Sequence, residues 1–316
     1  MQNEFEKIRI VFIGTTDFST VILKTLCDNG YNVVAAVSQP DKPSGRRQLV
    51  APSPVHRFCM EQNLLCLQPE KLRLETEAIL ALQPDCIITC AYGQMVPAAL
   101  LKAPSYGCLN IHPSLLPKYR GGAPMHRAIW AGETETGVCL MQMVEKMDAG
   151  AVYASAVLPI GRDETLTELE ARLKQTAAAL LQKELPKYLR GELKGIPQDD
   201  AQAVIARTIT KEEEQVFFAK ETGEEAYNHI RALTAWPMSY GLIDGKRIKF
   251  VKARFKREDS GSLAGTVLGF REGAMEIAAK GGVIRILELQ PEGKKAMSAK
   301  AFANGAGRAL IGRRFA

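Results

Sequence analysis

The feature of this sequence that most constrains its fold is the alternation of short apolar runs with helical stretches in its first half. Residues 8–14 (IRIVFIG) form a β-branched run that ends in glycine, which is typical of a buried parallel strand. Similar runs follow at residues 31–37 and 85–90, and residues 21–27 have the apolar spacing of a helix. This alternation predicts an α/β domain with a mainly parallel sheet, whose ligand sites lie at the carboxyl ends of the strands.

The pattern changes in the last third of the chain. A long amphipathic helix is predicted over residues 166–189, and a second helix near residues 224–233. Short β-type runs separated by glycine turns then follow, and Asp244-Gly245 between two of them is a strong hairpin signal. These runs predict a small β-barrel that is similar to the oligonucleotide-binding kind (OB-like). We therefore expect a catalytic domain over residues 1–190, a linker over residues 191–206 and a C-terminal β-barrel domain over residues 207–316.

Positive charge is concentrated in this C-terminal part. Residues 207–316 hold 20 Lys and Arg against 13 Asp and Glu, a net charge of +7, whereas residues 1–206 hold 21 against 22, a net charge of −1. Seven basic residues and no acid lie in residues 246–257 (KRIKFVKARFKR). Such asymmetry indicates a polyanionic partner, usually a nucleic acid. The same residues could instead supply charge for solubility, or lysines that protect an edge strand from aggregation.

Cysteine usage and the N-terminus bear on localisation. The chain has seven cysteines, an odd number, and none lies in a C-x-x-C or C-x-x-H pattern, so we expect buried free thiols and no metal site. The first six residues are polar and acidic, unlike a signal peptide, and no apolar run approaches the ~20 residues that cross a bilayer. We expect a cytoplasmic, monomeric protein with no membrane partner.

Residues 107–124 (GCLNIHPSLLPKYRGGAP) hold the most informative motif. Residues 108–111 are predicted as a short strand that runs directly into His112 and Pro113. The alternation of side chains along a strand points Asn110 and His112 to the same side. Pro113 and Pro117 stiffen the loop that follows. A second apolar run, residues 138–144, leads into a Met-Asp-Ala-Gly turn, whose Asp148 could face the same edge.

These three side chains suit acyl transfer to an amine. Asn110 and His112 can donate hydrogen bonds to a developing oxyanion, and His112 beside Asp148 can move the proton that the amine loses. Neither a metal nor a covalent nucleophile is required. From spacing alone, however, Asn and His before a proline more often shape a turn, and Asp148 is equally suited to cap one.

The motif that runs from Asn110 through Pro117 to Gly121, with a later Asp148, resembles the signature of the folate-dependent formyltransferases. This resemblance implies a Rossmann-like domain that binds 10-formyltetrahydrofolate. It implies that Asn110 and His112 polarise the formyl oxygen and that Asp148 orients the histidine and assists proton transfer. It also implies a folate site lined by Ser114, Leu115, Leu116 and Pro117.

Further segments are similar to the members of that family that formylate methionyl-tRNA. Residues 39–46 (QPDKPSGR) and 52–54 resemble their insertion loop, which faces the tRNA acceptor end, and residues 230–237 resemble the opening of their barrel-like C-terminal domain. The resemblance implies that the loop arginine Arg46 contacts the acceptor stem, with Arg47 beside it. Relatives often carry a basic run after Arg46, whereas this chain has Arg47-Gln48-Leu49. The loop is therefore less basic here.

The resulting prediction is formyl transfer to the α-amino group of methionine on initiator methionyl-tRNA, the reaction that prepares this tRNA for translation initiation. Alternation along residues 246–257 places several basic side chains on one face, and the predicted phosphate contacts there are Lys246, Arg247, Lys249 and Lys252. Two alternatives stay open. One is the same chemistry on a small amine such as glycinamide ribonucleotide or an amino sugar nucleotide, and the other is a non-catalytic tRNA-binding protein.

Overall fold

The computed structural model of the protein describes residues 4–44 and 49–316. This part of the chain divides into two compact units. The first holds the residues up to 122 together with residues 136–158 and 170–206, and the second holds residues 123–135, 159–169 and 207–316. Residues 191–206, which the sequence predicts as a linker, therefore pack with the first unit. No helix within the described ranges is long and apolar enough to span a membrane.

The first unit is built on a seven-stranded sheet in the order β5-β2-β1-β6-β7-β8-β9. The strands of this sheet are β1 (Ile10–Gly14), β2 (Val33–Val37), β5 (Cys66–Leu67), β6 (Cys86–Cys90), β7 (Cys108–His112), β8 (Glu135–Gln142) and β9 (Val152–Pro159). Strands β3 (Lys42–Ser44) and β4 (Leu49–Ala51) form a separate two-stranded hairpin. Strands β5, β2, β1, β6 and β7 are parallel, and β8 is antiparallel to β7. The predicted α/β class with a mainly parallel sheet is confirmed.

Helices alternate with strands in the first half of the chain, as the apolar spacing predicts, and further helices lie nearer the C-terminus. The helices of the described ranges are α1 (Asp17–Asp28), α2 (Pro54–Gln62), α3 (Glu77–Leu80), α4 (Ala98–Lys102), α5 (Pro124–Trp130), α6 (Leu166–Leu189), α7 (Gly223–Ala232) and α8 (Ala299–Ala303). Helix α1 begins with a capping box between Thr16 and Ser19. A Cβ on Gly14 would lie 2.6 Å from Ser19 Cβ and 2.7 Å from Cys90 O, so only glycine fits where β1 passes into α1.

The second unit contains an antiparallel sheet in the order β10-β11-β14-β13-β12, with β15 paired to β14. Its strands are β10 (Tyr240–Ile243), β11 (Lys246–Lys256), β12 (Val267–Arg271), β13 (Ala274–Ala279), β14 (Gly282–Pro291) and β15 (Met297–Ser298). Asp244 and Gly245 both have positive φ, 48° and 74°, as a tight hairpin turn between β10 and β11 requires. The hairpin that the Asp-Gly pair predicts is therefore confirmed.

The C-terminal residues link the two edges of this sheet. On one side, Val267 N donates to Arg313 O at 2.8 Å and Phe315 N donates to Gly265 O at 3.0 Å, and on the other side Ala316 N donates to Leu242 O at 2.8 Å. The ring of Phe315 packs in the core against Phe218 and Phe250, with centroid distances of 5.7 Å to each. Burial of these aromatic rings stabilises the unit, and the C-terminal segment gives the sheet the closure of a barrel.

Candidate functional site

The site at the edge of the first sheet is built around the end of β7. Asn110 and His112 lie on this strand, two residues apart, and therefore on the same side of it. The Thr89 hydroxyl of the neighbouring β6 lies 2.9 Å from Asn110 Oδ1 and shares its one hydrogen among this oxygen, Leu109 O and Met143 Sδ. With Oδ1 facing Thr89, the amide NH₂ is the end that can donate to a ligand. His112 is buried, and its Nε2 lies 3.0 Å from the Tyr119 carbonyl oxygen. Both side chains are thus fixed before any ligand binds.

The contact with Tyr119 decides how the protons on His112 are arranged. A carbonyl oxygen can only accept a hydrogen bond, so Nε2 carries a hydrogen and the other ring nitrogen, Nδ1, is the one that can take up a proton. Nδ1 lies 3.8 Å from Asp148 Oδ2, and the Asp148 side chain is only 15% exposed. A carboxylate at this distance can stabilise the positive charge that a proton would bring to the ring.

Asp148 follows β8 in a turn and is held at both its backbone and its side chain. Its φ is +48°, a left-handed conformation that is uncommon for a residue with a Cβ. Its Oδ2 accepts a hydrogen bond from Gly121 N at 2.8 Å. The structure therefore brings together His112 and Asp148, which are far apart in the chain, and places Asn110 on the same strand as the histidine.

The loop after β7 contains the predicted folate residues. Ser114 is fully buried, and its hydroxyl donates to Lys118 O at 2.8 Å, so it fixes the loop from within. The peptide bond between Leu116 and Pro117 is cis. Leu115, Leu116 and Pro117 are half-buried, and a Cβ on Gly137 of β8 would lie 2.5 Å from Leu115 Cδ2. The three residues give this edge of the sheet an apolar surface near His112.

The sequence prediction misses three residues of the site. Gln198 donates from Nε2 to the carbonyl oxygens of Asp148 and Gly150, at 2.9 Å and 2.7 Å. Arg120 is buried and donates from Nε to Gln198 Oε1 at 3.0 Å. Arg120 lies inside the formyltransferase-like motif, but Gln198 lies in the predicted linker, where no periodicity or motif marks it. Thr89, which holds Asn110, carries no sequence signal either.

The predicted tRNA loop, residues 39–54, contains β3 and β4. Arg46 and Arg47 fall outside the described residues. The base of the hairpin is described, and it is held by the Asp41 carboxylate, which accepts from Gln68 Nε2 at 2.8 Å and Ser53 N at 3.1 Å and lies 2.9 Å from His56 Nδ1. Partial burial acts to raise the pKa of Asp41, but the hydrogen bonds from Gln68, His56 and Ser53 outweigh it and lower this pKa below its usual value.

Strand β11 carries the basic run of the second unit. The pairing of β11 with β14 is irregular between Phe250 and Ala253. Phe250 and Ala253 are both buried, while Lys252 is exposed and Lys249 is half-buried. The second half of the run is neutralised, because Arg254, Lys256 and Arg257 pair with Asp163, Glu258 and Glu224.

The first half of the run is different. Within residues 4–44 and 49–316, Lys246, Lys249 and Lys252 make no ion pair with a carboxylate at 4.0 Å or less. The guanidinium of Arg247 lies 4.7 Å from the centroid of the Tyr240 ring. We call Lys246, Arg247, Lys249 and Lys252 the β11 patch. These four predicted phosphate contacts are thus the part of β11 that keeps the most positive charge available for a ligand.

Comparison with known proteins assigns the family. The family model described as "Formyl transferase" matches residues 8–185, and the one described as "Formyl transferase, C-terminal domain" matches residues 208–307. The chain belongs to the formyl transferase family. Its similarity to members of this family covers both compact units, including the antiparallel sheet and β11.

Curated relatives give the similarity in more detail. The chain is 44% identical over 306 residues to the methionyl-tRNA formyltransferase of Halalkalibacterium halodurans, a match that covers 96% of each chain. It is 44% identical over 304 residues to the methionyl-tRNA formyltransferase of Geobacillus thermodenitrificans, with 95% of each chain covered. Among solved structures, HypX from Aquifex aeolicus in complex with tetrahydrofolic acid matches with a TM-score of 0.65 and 20% identity, over 96% of this chain and 48% of that one. At this identity, the match to HypX shows the fold alone.

Proposed function

We propose that this protein transfers a formyl group from 10-formyltetrahydrofolate to the α-amino group of methionine on initiator methionyl-tRNA, and so acts in translation initiation. The observation that carries the proposal is the similarity to methionyl-tRNA formyltransferases, which runs through both units of the chain at 44% identity. A formyltransferase for small amines would need the site at the end of β7 but not the β11 patch.

Asn110, His112 and Asp148 are the proposed catalytic residues. The Asn110 amide NH₂ donates to the formyl oxygen as negative charge develops on it, in a site where the Thr89 hydroxyl already fixes the amide. His112 accepts the proton of the attacking amine at Nδ1, because Nε2 is engaged by the Tyr119 carbonyl. The Asp148 carboxylate, 3.8 Å from Nδ1, stabilises the imidazolium that forms. His112 then returns the proton to the leaving nitrogen.

The loop after β7 suits the binding of the formyl donor. The half-buried side chains of Leu115, Leu116 and Pro117 supply apolar contact for a pteridine ring, and Ser114 supports the loop through its bond to Lys118 O. 10-Formyltetrahydrofolate, when bound, supplies the formyl group. The residues of the chain hold the donor, fix the formyl oxygen and move the proton.

The tRNA is bound by two basic regions. One is the β11 patch, whose lysines and arginine suit contacts with phosphate groups that are tolerant of sequence. The other is the loop after β3, where Arg46 and Arg47 are proposed to contact the acceptor stem. We propose a catalytic domain that begins with residues 1–190 and a tRNA-binding domain over residues 207–316, in a monomeric cytoplasmic enzyme. Residues 191–206, which the sequence predicts as a linker, pack with the catalytic unit.

A direct test offers a labelled formyl donor to methionyl-tRNA and, in parallel, to glycinamide ribonucleotide and an amino sugar nucleotide. The proposal predicts label on methionyl-tRNA and none on the two small acceptors. Label on a small acceptor alone would support the small-amine alternative. Binding of tRNA without transfer to any acceptor would support a non-catalytic tRNA-binding protein.

A further inference from the structure

The turn that carries Asp148 needs support from its surroundings. The left-handed backbone of Asp148, at φ +48°, is less favourable than an ordinary turn conformation for a residue with a side chain. The turn is also tightly seated, because a Cβ on Gly150 would lie 1.9 Å from Gln142 O. Small shifts of this turn would move the carboxylate relative to His112. Whatever holds the turn therefore also sets the distance between Asp148 and the histidine.

Gln198 is the side chain that holds this turn. Its amide nitrogen donates to Asp148 O at 2.9 Å and to Gly150 O at 2.7 Å, so both hydrogens of one NH₂ group join the two sides of the turn. Its amide oxygen accepts from Arg120 Nε at 3.0 Å. An arginine can only donate, so this bond fixes which end of the amide faces the turn. Both polar atoms of the Gln198 side chain are therefore engaged.

Arg120 is itself fixed. It is buried, its Nη1 lies 2.7 Å from Asp200 Oδ1, and its backbone pairs with residues 204–206 through Arg120 N to Val204 O at 2.9 Å and Ala206 N to Arg120 O at 2.6 Å. The next residue, Gly121, donates to the Asp148 carboxylate at 2.8 Å. Arg120 thus connects the segment that contains Gln198 to the loop that binds the carboxylate.

We infer that Gln198 is a positioning residue for formyl transfer, which acts by holding the Asp148 turn so that the carboxylate stays beside His112 Nδ1. This role rests on the proposed catalytic role of Asp148. Gln198 and residues 204–206, whose backbone pairs with Arg120, are then parts of the active-site framework, although the sequence predicts residues 191–206 as a linker. Gln198 makes its bonds to backbone atoms and to Arg120, and acts on the substrate only through Asp148.

The test replaces Gln198 by Met, which has similar length, carries no charge and removes both donors. Its matched control is Gln202→Met, four residues further on, where the amide donates to Asp199 Oδ2 at 2.9 Å. We expect Gln198→Met to lower kcat by about 10- to 100-fold, because a small displacement of a catalytic group has effects of this size. KM for both substrates should change by less than about twofold, and Gln202→Met should behave as wild type.

A double-mutant cycle separates positioning from general destabilisation. In an Asp148→Asn background, Gln198→Met should have little further effect on kcat, because the group that it positions is already disabled. Equal fold-losses in the two backgrounds would overturn the inference. If Gln198→Met lowers Tm too far for assay, Gln198→Glu keeps the size and the bond to Arg120 while it removes both donors. The same loss of kcat is expected from it.

The outcomes distinguish the two proposals. Wild-type turnover in Gln198→Met together with an inactive Asp148→Asn variant would overturn the positioning role and leave the catalytic role of Asp148 standing. Wild-type turnover in Asp148→Asn would overturn the catalytic role itself, and with it the inference on Gln198.

Discussion

The end of β7 and the outer face of β11 are opposite kinds of functional surface. At β7, His112 and Asp148 are largely buried, and each is fixed by a hydrogen bond from or to the backbone of residues 119–121. On β11, Lys246 and Lys252 are exposed and make no ion pair within the described parts of the chain. Proton transfer needs groups held in one geometry, whereas contacts with phosphates tolerate motion and depend on charge.

The largest effect is expected from Asn110→Ala, which would sharpen this comparison at its catalytic side. Loss of the donor to the formyl oxygen should lower kcat by about 100-fold or more. Folate affinity and Tm should remain near wild type, because the Asn110 side chain makes one hydrogen bond, with Thr89, among the described residues. The control in steady-state assays is Asn304→Ala, a change at an exposed asparagine of the second unit. Near-normal turnover in Asn110→Ala would remove Asn110 from the mechanism.

On β11, Lys249→Gln combined with Lys252→Gln should weaken tRNA binding roughly tenfold at low salt and reduce the slope of log Kd against log salt by about 2. The physical reason is the loss of two charges that are available to phosphates. Lys256→Gln is the matched control, since Lys256 lies 2.5 Å from Glu258 and is already neutralised. Titration of labelled tRNA at several salt concentrations measures both quantities. If the control has the same effect as the double variant, the lack of an ion pair is not what selects these lysines.

The hairpin base at Asp41 gives a pH-dependent prediction. The pKa of Asp41 is lowered in the folded state, so its hydrogen bonds contribute stability above the unfolded pKa of about 4, and this contribution is lost as pH falls through the lower folded value. Asp41→Asn should lower Tm by about 2–4 °C at neutral pH, a shift that corresponds to ~1 kcal/mol.

The Tm difference between wild type and Asp41→Asn should shrink when the pH is taken below about 4. Thermal melts across the pH range measure it, with Asp244→Asn in the hairpin turn of the second unit as the control. A difference that stays constant down to a pH of about 2 would contradict the role of the ionised carboxylate.

The smallest expected effect is a difference in the rate of alkylation among the seven cysteines, all of which lie in the first unit. Burial raises the pKa of Cys86 to about 12 and that of Cys139 to about 11, so these thiols should resist alkylation in the native protein. A hydrogen bond from the Cys59 thiol lowers the pKa of Cys66, which is half-buried. Cys66 should react first with iodoacetamide at a pH of about 8, as peptide mass spectrometry would show. Equal labelling of Cys86 would refute this order.

The sequence predicts most of the fold because its elements are determined locally. Helix α6 has the predicted bounds, Leu166–Leu189, and the Asp244-Gly245 hairpin is confirmed because the two residues carry their own turn conformation. The hairpin of β3 and β4 lies in the stretch that resembles an insertion loop, and it depends on the contacts of Asp41 with residues well separated in the chain.

The sequence predicts the site less completely, for a physical reason. Strand β8 is antiparallel to β7, so its last residue, Gln142, lies beside Leu109 and not beside His112. Residues 143–148 return the chain to the histidine, and this path is fixed by the bonds of Gln198 and Gly121 to the turn. Bonds across 27 and 50 positions that involve backbone atoms leave no pattern in the sequence. The sequence places Asp148 at the right edge by expecting both strands to end there, whereas the structure brings it there through residues 143–148 and a framework that the sequence does not predict.

The division of catalysis and tRNA binding between β7 and β11 is measured by kcat and KM for methionyl-tRNA, determined side by side at one ionic strength. The three proteins to compare are wild type, Asn110→Ala and the Lys249→Gln, Lys252→Gln double variant. We predict that the asparagine change lowers kcat with little change in KM, and that the lysine changes raise KM with little change in kcat. A fall of kcat in the lysine variant equal to that in Asn110→Ala, with KM unchanged in both, would contradict this division.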